Sequence, residues 1–85
     1  MPEFNTYQKL YTFLLMKTDM SLSERVSAFL LLMRMNEVEI ENYLSSYDFN
    51  ADEYTDFYDE INRSFIPFMA TIDLINEENN YGSQR

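Results

Sequence analysis

Between Glu37 and Glu60 the chain carries nine carboxylates and no basic side chain: Glu37, Glu39, Glu41, Asp48, Asp52, Glu53, Asp56, Asp59 and Glu60. Carboxylates at this density suit three kinds of chemistry. Two of them in unequal environments can hydrolyse glycosides, one as acid and one as base or nucleophile. Several converging on one point can hold a hard cation. Spread along a rigid surface, they can dock on a basic partner.

Hydrolysis finds little support. It needs a cleft that sets one carboxyl apart from another, and these acids read as exposed and alike on a chain of 85 residues. The chain has no histidine and no cysteine, so serine and tyrosine lack an imidazole base and there is no thiol nucleophile or zinc–cysteine site. With Gly82 as the only glycine, no glycine loop can cradle a phosphate. No enzyme activity and no cofactor are expected.

Cation binding has a partial pattern behind it. Asp48, Asn50, Asp52, Tyr54, Asp56 and Asp59 fall at positions 1, 3, 5, 7, 9 and 12 of an EF-hand register. The departures are serious: Glu53 stands where glycine makes the sharp turn, Thr55 where an apolar residue seals the loop, and Asp59 where a longer bidentate glutamate belongs. The same residues read as a capped helix from Ala51, which splays the carboxylates apart. Calcium binding is therefore an alternative, and no metal site is expected.

Docking accounts best for the clustering. The whole chain has a formal net charge of −9, and outside the window acids and bases balance at six each. Solubility alone needs no such concentration. Like charges three or four apart on a helix cost ~0.2–0.5 kcal/mol per pair, and only Arg63, four after Asp59, offers relief. Carboxylates one helical turn apart sit about 6 Å from each other, on the scale of the phosphate ladder that nucleic-acid-binding proteins are built to receive. The expectation is a non-enzymatic module that presents Asp52, Asp56, Asp59 and Glu60 at the centre of an acidic face, with Glu37, Glu41 and Asp48 flanking. Its partner would be a basic, nucleic-acid-handling protein, blocked in the manner of the nucleic-acid mimics of viral and mobile-element inhibitors. Direct nucleic-acid binding is disfavoured, because phosphates repel such a surface.

These residues must be positioned by helices. Four segments open with a capping residue followed three positions later by Glu or Gln: Asn5–Gln8, Ser21–Glu24, Asn36–Glu39 and Asn50–Glu53. Each precedes an apolar stripe of helical period. Helices are predicted over about 6–17, 22–35, 37–46 and 51–63. A fifth is predicted from a cap at Ser64 to about Glu78, with Pro67 in its first turn, where no N–H is missed. In the fourth helix Tyr54, Phe57, Tyr58 and Ile61 form the buried stripe, and Phe49 before the cap staples against Tyr54. The second helix is apolar nearly all round after Ala28, so it is expected at the centre or at a dimer seam. Phe13, Met16, Leu31 and Met35 lie off the main stripes and would form an apolar patch for self-association, the basis of an alternative reading as a homodimeric assembly or regulatory protein.

The fold class is thus all-α: one small domain, residues 1–78, of four to five short helices, with 79–85 as a disordered tail. Helices two to four resemble the tri-helical core of helix-turn-helix and winged-helix regulators, with the fourth in the recognition position; its acids argue against DNA contact there. Apolar residues at 46% and charged residues at 25% suit a folded domain. No apolar run approaches the ~20 residues that span a bilayer, the start lacks a basic and apolar leader, and the absence of cysteine suits a reducing compartment. A cytoplasmic location, in the producing or a host cell, is expected, with no membrane partner.

Overall fold

The computed structural model describes the backbone of residues 3–83 and the side chains of residues 3–78. The element order is α1 (Thr6–Met16), α2 (Leu22–Leu32), α3 (Glu37–Ser46), a 3-10 segment (Ala51–Phe57) and α4 (Tyr58–Ser83), with no strand among the described residues. The protein is a small all-α domain.

Three helices begin as their sequences dictate. The Asn5 Oδ1 accepts from the Gln8 N–H at 2.9 Å while the Gln8 Oε1 accepts from the Asn5 N–H at 2.8 Å. Ser21 with Glu24, and Asn36 with Glu39, make the same reciprocal pair. Each box satisfies two backbone donors that the first helical turn leaves without partners. The helix ends differ in detail. α2 stops at Leu32 rather than Met35, because Arg34 and Met35 donate three residues back, to Leu31 and Leu32, in a tight turn. α3 closes with Asp48 in the left-handed region at φ 54°. There the Asp48 N–H reaches the Ser45 carbonyl at 2.9 Å and the Phe49 N–H reaches the Leu44 carbonyl at 3.1 Å, the two bonds of a Schellman ending.

The fourth predicted helix starts differently. Asn50 accepts from the Asp52 N–H at 3.1 Å, one residue early. The Glu53 N–H turns to the Asn50 carbonyl at 3.2 Å, so the chain winds with three residues per turn from Ala51 to Phe57. From Tyr58 a single α-helix follows, with Pro67 inside it. Ser64 does not cap a new helix. Its Oγ donates to the Ile61 carbonyl at 3.0 Å and accepts from the Tyr11 hydroxyl at 2.8 Å. Continuity has a physical reason: Ile61, Phe65, Phe68 and Ile72 keep one helical stripe across the proline, and a break at Ser64 would put the two halves out of phase. Pro67 and Arg63, whose carbonyl loses its helical donor, both lie on the exposed side. The helical backbone continues to Ser83, beyond Asn79, where the disordered tail was expected to begin; side chains past Glu78 lie outside the described residues.

The centre of the domain is α1, not α2. Leu10, Tyr11, Thr12, Phe13 and Leu14 are all buried, so α1 is enclosed on several sides, whereas α2 buries only Phe29 fully and leaves Leu31 63% exposed. α1 packs against α2, α3, α4 and the 3-10 segment. α1 thus touches every other element, and α2 also meets α4 directly. Two aromatic groups fill the space around it. Phe29 meets Phe68 edge-on at 5.2 Å, and Phe68 meets Tyr11 at 4.7 Å. On the other side Phe13 meets Phe49 at 5.3 Å, and Phe49 stacks on Tyr54 at 5.8 Å, the staple pair the sequence suggests. Each such pair adds ~0.5–1.5 kcal/mol beyond burial. Polar bonds set the register of α1 on α4: the Gln8 Nε2 donates to the Asn62 Oδ1 at 3.0 Å, one layer from Tyr11 and Ser64. A compact domain of this length has a radius of gyration of about 12 Å; the observed 13.4 Å, with extents of 44 × 26 × 26 Å, reflects the length of α4. Among the described residues no helix is long and apolar enough to cross a membrane.

Candidate functional site

The 3-10 segment and the first turn of α4 carry Asp52, Glu53, Asp56, Asp59 and Glu60, and all five side chains are exposed. With three residues per turn and a rise of about 2 Å per residue, residues three apart stand in one row about 6 Å apart. Glu53 and Asp56 form such a row, and Asp59 follows in the first turn of α4. Asp52 stands in the neighbouring row. The central four acids of the sequence expectation therefore share one rod, and Glu53 joins them. The sequence pattern assigns Glu53 to the capping box; its side chain is instead exposed, and the tighter winding places it directly in line with Asp56.

The flanking acids are dispersed. Glu41 is engaged by Lys9, whose Nζ lies 3.1 Å from the Glu41 Oε1, and also accepts from the Thr6 hydroxyl at 3.3 Å. It shares a cleft of 310 Å³ with Asp52. That ion pair is partly exposed, so it contributes at most ~1 kcal/mol. Asp48 points to a different cleft, between α1, α2 and α3, with Lys17 and Tyr47. Glu37 sits in the first turn of α3, about 15 Å along the ten-residue helix from the turn that leads to the 3-10 segment. Arg63 makes no ion pair with Asp59 among the described residues.

The winding also moves apolar residues. Ala51, Tyr54 and Phe57 fall in one row: Ala51 is buried, Tyr54 is half-buried, and Phe57 emerges with 50% of its surface exposed. The expected buried stripe of the fourth helix thus loses Phe57. It lines a 370 Å³ cleft with Leu15, Met16, Glu60 and Ile61.

The self-association set does not form one patch. Phe13 is only 7% exposed and is covered by Tyr43, Tyr47 and Phe49. Its place off the main stripe of α1 is filled by side chains from α3 and the turn after it. Met16, 44% exposed, faces Phe57, while Leu31 lies on α2 and Met35 is half-buried in the turn after α2.

The EF-hand register is not laid out as a loop. Asp48 closes α3, and Asp52, Asp56 and Asp59 are wound along the rod. Among the described residues no group of three or more His, Cys, Asp or Glu is placed to hold a metal ion.

A cleft of 640 Å³ lies beside Phe13, Lys17, Ala28, Tyr43 and Tyr47. Burial pushes the Tyr43 phenol above its ordinary value, with Tyr47 adding to the shift. Elsewhere, the Ser21 backbone N–H, followed by its hydroxyl, holds the Glu24 carboxyl below its ordinary value. That is the electrostatic signature of the capping box, not of a reaction site. Set against protein-family models, curated proteins and solved structures, the chain matches none.

Proposed function

We propose that this chain is a non-enzymatic binding module that docks the acidic rod of the 3-10 segment and the start of α4 on a basic surface of a nucleic-acid-handling protein, and so blocks that surface. The observation that carries the proposal is the row of exposed carboxylates at about 6 Å intervals on a segment that contains no base between Asp52 and Glu60. Such a row offers a cationic groove the charge spacing of a phosphate strand on a scaffold that does not need to be ordered on binding. Glu53, Asp56 and Asp59 form the centre, Asp52 and Glu60 the sides. Glu41 contributes less, because Lys9 already neutralises it.

The test is salt-dependent capture of a partner followed by competition. The chain and a variant with Asp52, Asp56 and Asp59 changed to Lys are immobilised and exposed to host lysate at low and high salt. The captured protein is then purified and challenged with duplex DNA. The expected result is capture by the native chain alone, lost at high salt because exposed charges are screened beyond ~8 Å at physiological ionic strength, and displacement by DNA. Equal capture by both versions at both salts, or a partner indifferent to DNA, refutes the proposal.

A further inference from the structure

Charge alone gives this face little to hold with. Exposed carboxylates speed encounter and steer orientation, but they leave the complex quickly unless a desolvated centre accompanies them. Stable interfaces pair a charged rim with an apolar core in which an aromatic residue is commonly the anchor. The domain carries such a core beside the acidic rod. The cleft between α1 and the junction of the 3-10 segment with α4 is lined by the half-buried Leu15, the buried Ile61, the exposed Met16 and Phe57, and Glu60. Phe57 and Met16 stay 50% and 44% exposed although both are large and apolar. Among the described residues no basic side chain lines this cleft.

We propose that this cleft is the anchor of the acidic docking face, and that it receives an apolar side chain from a helix of the partner whose neighbouring residues are lysine or arginine. The proposal rests on the acidic-face reading and specifies what that face grips. Charge complementarity selects the occupant. An apolar side chain entering between Phe57 and Met16 brings its flanking residues up to Glu60, on the rod that also carries Glu53 and Asp56, where cations are attracted and anions repelled. The pairing of two apolar clefts selects a helix, whose anchors recur on one face every three or four residues. Leu15 also lines an adjoining 360 Å³ cleft with Leu22, Val26 and Phe68, so a second apolar side chain, one or two turns along the same partner helix, finds a seat there. That second cleft contains Arg25, whose Nη1 donates to the Met20 carbonyl at 3.0 Å. The Phe57 cleft thus carries Glu60 and the second cleft carries Arg25, so the partner's cations belong over Glu60.

The test uses defined peptides and the full chain. A fluorescein-labelled amphipathic peptide, with leucines on one helical face and lysines flanking them, is titrated by anisotropy. One control has the same composition permuted to destroy the apolar face, and another has glutamate for lysine. Protein variants are Phe57→Ser, Met16→Ser, and a triple Glu53→Gln, Asp56→Asn, Glu60→Gln; both apolar sites are exposed, so these changes leave the core intact, which thermal melting checks. The native chain is expected to bind the amphipathic peptide at least about tenfold more tightly than either control, a gap of ~1.4 kcal/mol. Phe57→Ser and Met16→Ser are each expected to weaken binding about tenfold with the salt dependence unchanged, and the triple variant to weaken it and flatten the salt dependence. Equal binding of the permuted peptide, or full affinity in both serine variants, overturns the anchor; the acidic-face reading survives that result if the triple variant still loses binding. Full affinity in the triple variant, or equal binding of the glutamate peptide, overturns the acidic-face reading and the basic-flanked occupant with it.

Discussion

Replacing Asp48 by glycine should make the domain more stable, for two reasons located at one atom group. Asp48 holds φ at 54°, where the Cβ of an L-residue crowds the following carbonyl. Such a residue costs about 1–2 kcal/mol, less for Asp and Asn, whose short polar side chains bond locally. Its carboxylate also stands at the negative end of the α3 dipole, beside carbonyls of the last turn, an arrangement unfavourable by ~0.3–1 kcal/mol. Glycine removes both penalties and returns ~0.5–1 kcal/mol through the greater freedom of the unfolded chain. The net expectation for Asp48→Gly is a gain of about 0.5–1.5 kcal/mol, or roughly 3–8 °C in Tm for a domain of this size. Urea unfolding followed at 222 nm, with the m-value unchanged, measures it. Two further variants separate the causes. Asp48→Asn keeps the geometry and removes the charge, so it should capture only the dipole part and lose that advantage at high salt. Asp48→Ala keeps a Cβ without the local bonding and should fall below glycine by ~1 kcal/mol. If glycine is no more stable than alanine and asparagine, the left-handed ending of α3 is not where the penalty resides and the argument fails.

Pro67→Ala should stabilise the domain by about 2 kcal/mol, since an interior proline costs ~3 kcal/mol against alanine and the stiffer unfolded chain offsets ~0.4–1 of that. A neutral or destabilising result by thermal melting would mean that a new helix begins near Ser64 after all. The capping box of α2 should give the acid limb a specific dependence. The Glu24 carboxyl titrates below its ordinary value in the folded state, so its contribution is complete above about pH 4.3 and is lost as pH falls through the lower folded value. Glu24→Gln keeps the box and removes the titration; Tm curves of the two proteins should run parallel near neutrality and converge or cross below about pH 4. Parallel curves down to pH 3 would count against it.

Local signals in this chain speak clearly where the chemistry is local. Asn5, Ser21 and Asn36 meet their Glu or Gln partners because both halves of each box lie within four residues. Asn50 carries the same pattern, yet it bonds to Asp52 instead of Glu53. The capping pattern alone does not distinguish three from 3.6 residues per turn. Phe13 and Phe57 show the same limit from opposite sides. Phe13 lies off the main stripe of α1 and is buried, because Tyr43, Tyr47 and Phe49 arrive from about 30 residues further on to cover it. Phe57 lies on the expected apolar stripe of its segment and is exposed, because it stands at the end of the 3-10 segment, where only Leu15, Met16, Glu60 and Ile61 share its cleft. The acids of the candidate face were plain from charge counting; the apolar cleft beside them depends on a contact between α1 and residues more than 40 positions later.

The central place of α1 has a consequence for synthesis on the ribosome. Its partners Asn62, Ser64 and Phe68 follow it by more than 50 residues. At ~5–20 residues per second, α1 is made about 3–12 s before the residues that enclose it. During that interval Leu10, Tyr11, Phe13 and Leu14 have only α2 and α3 to shelter them. The nascent chain is therefore greasiest at the stage when α3 has emerged and α4 has not, and the charged stretch that follows α3, rich in Asp and Glu, is the next to appear. Mutual repulsion between neighbouring nascent chains at that stage would keep the unfinished domains apart until α4 closes over α1.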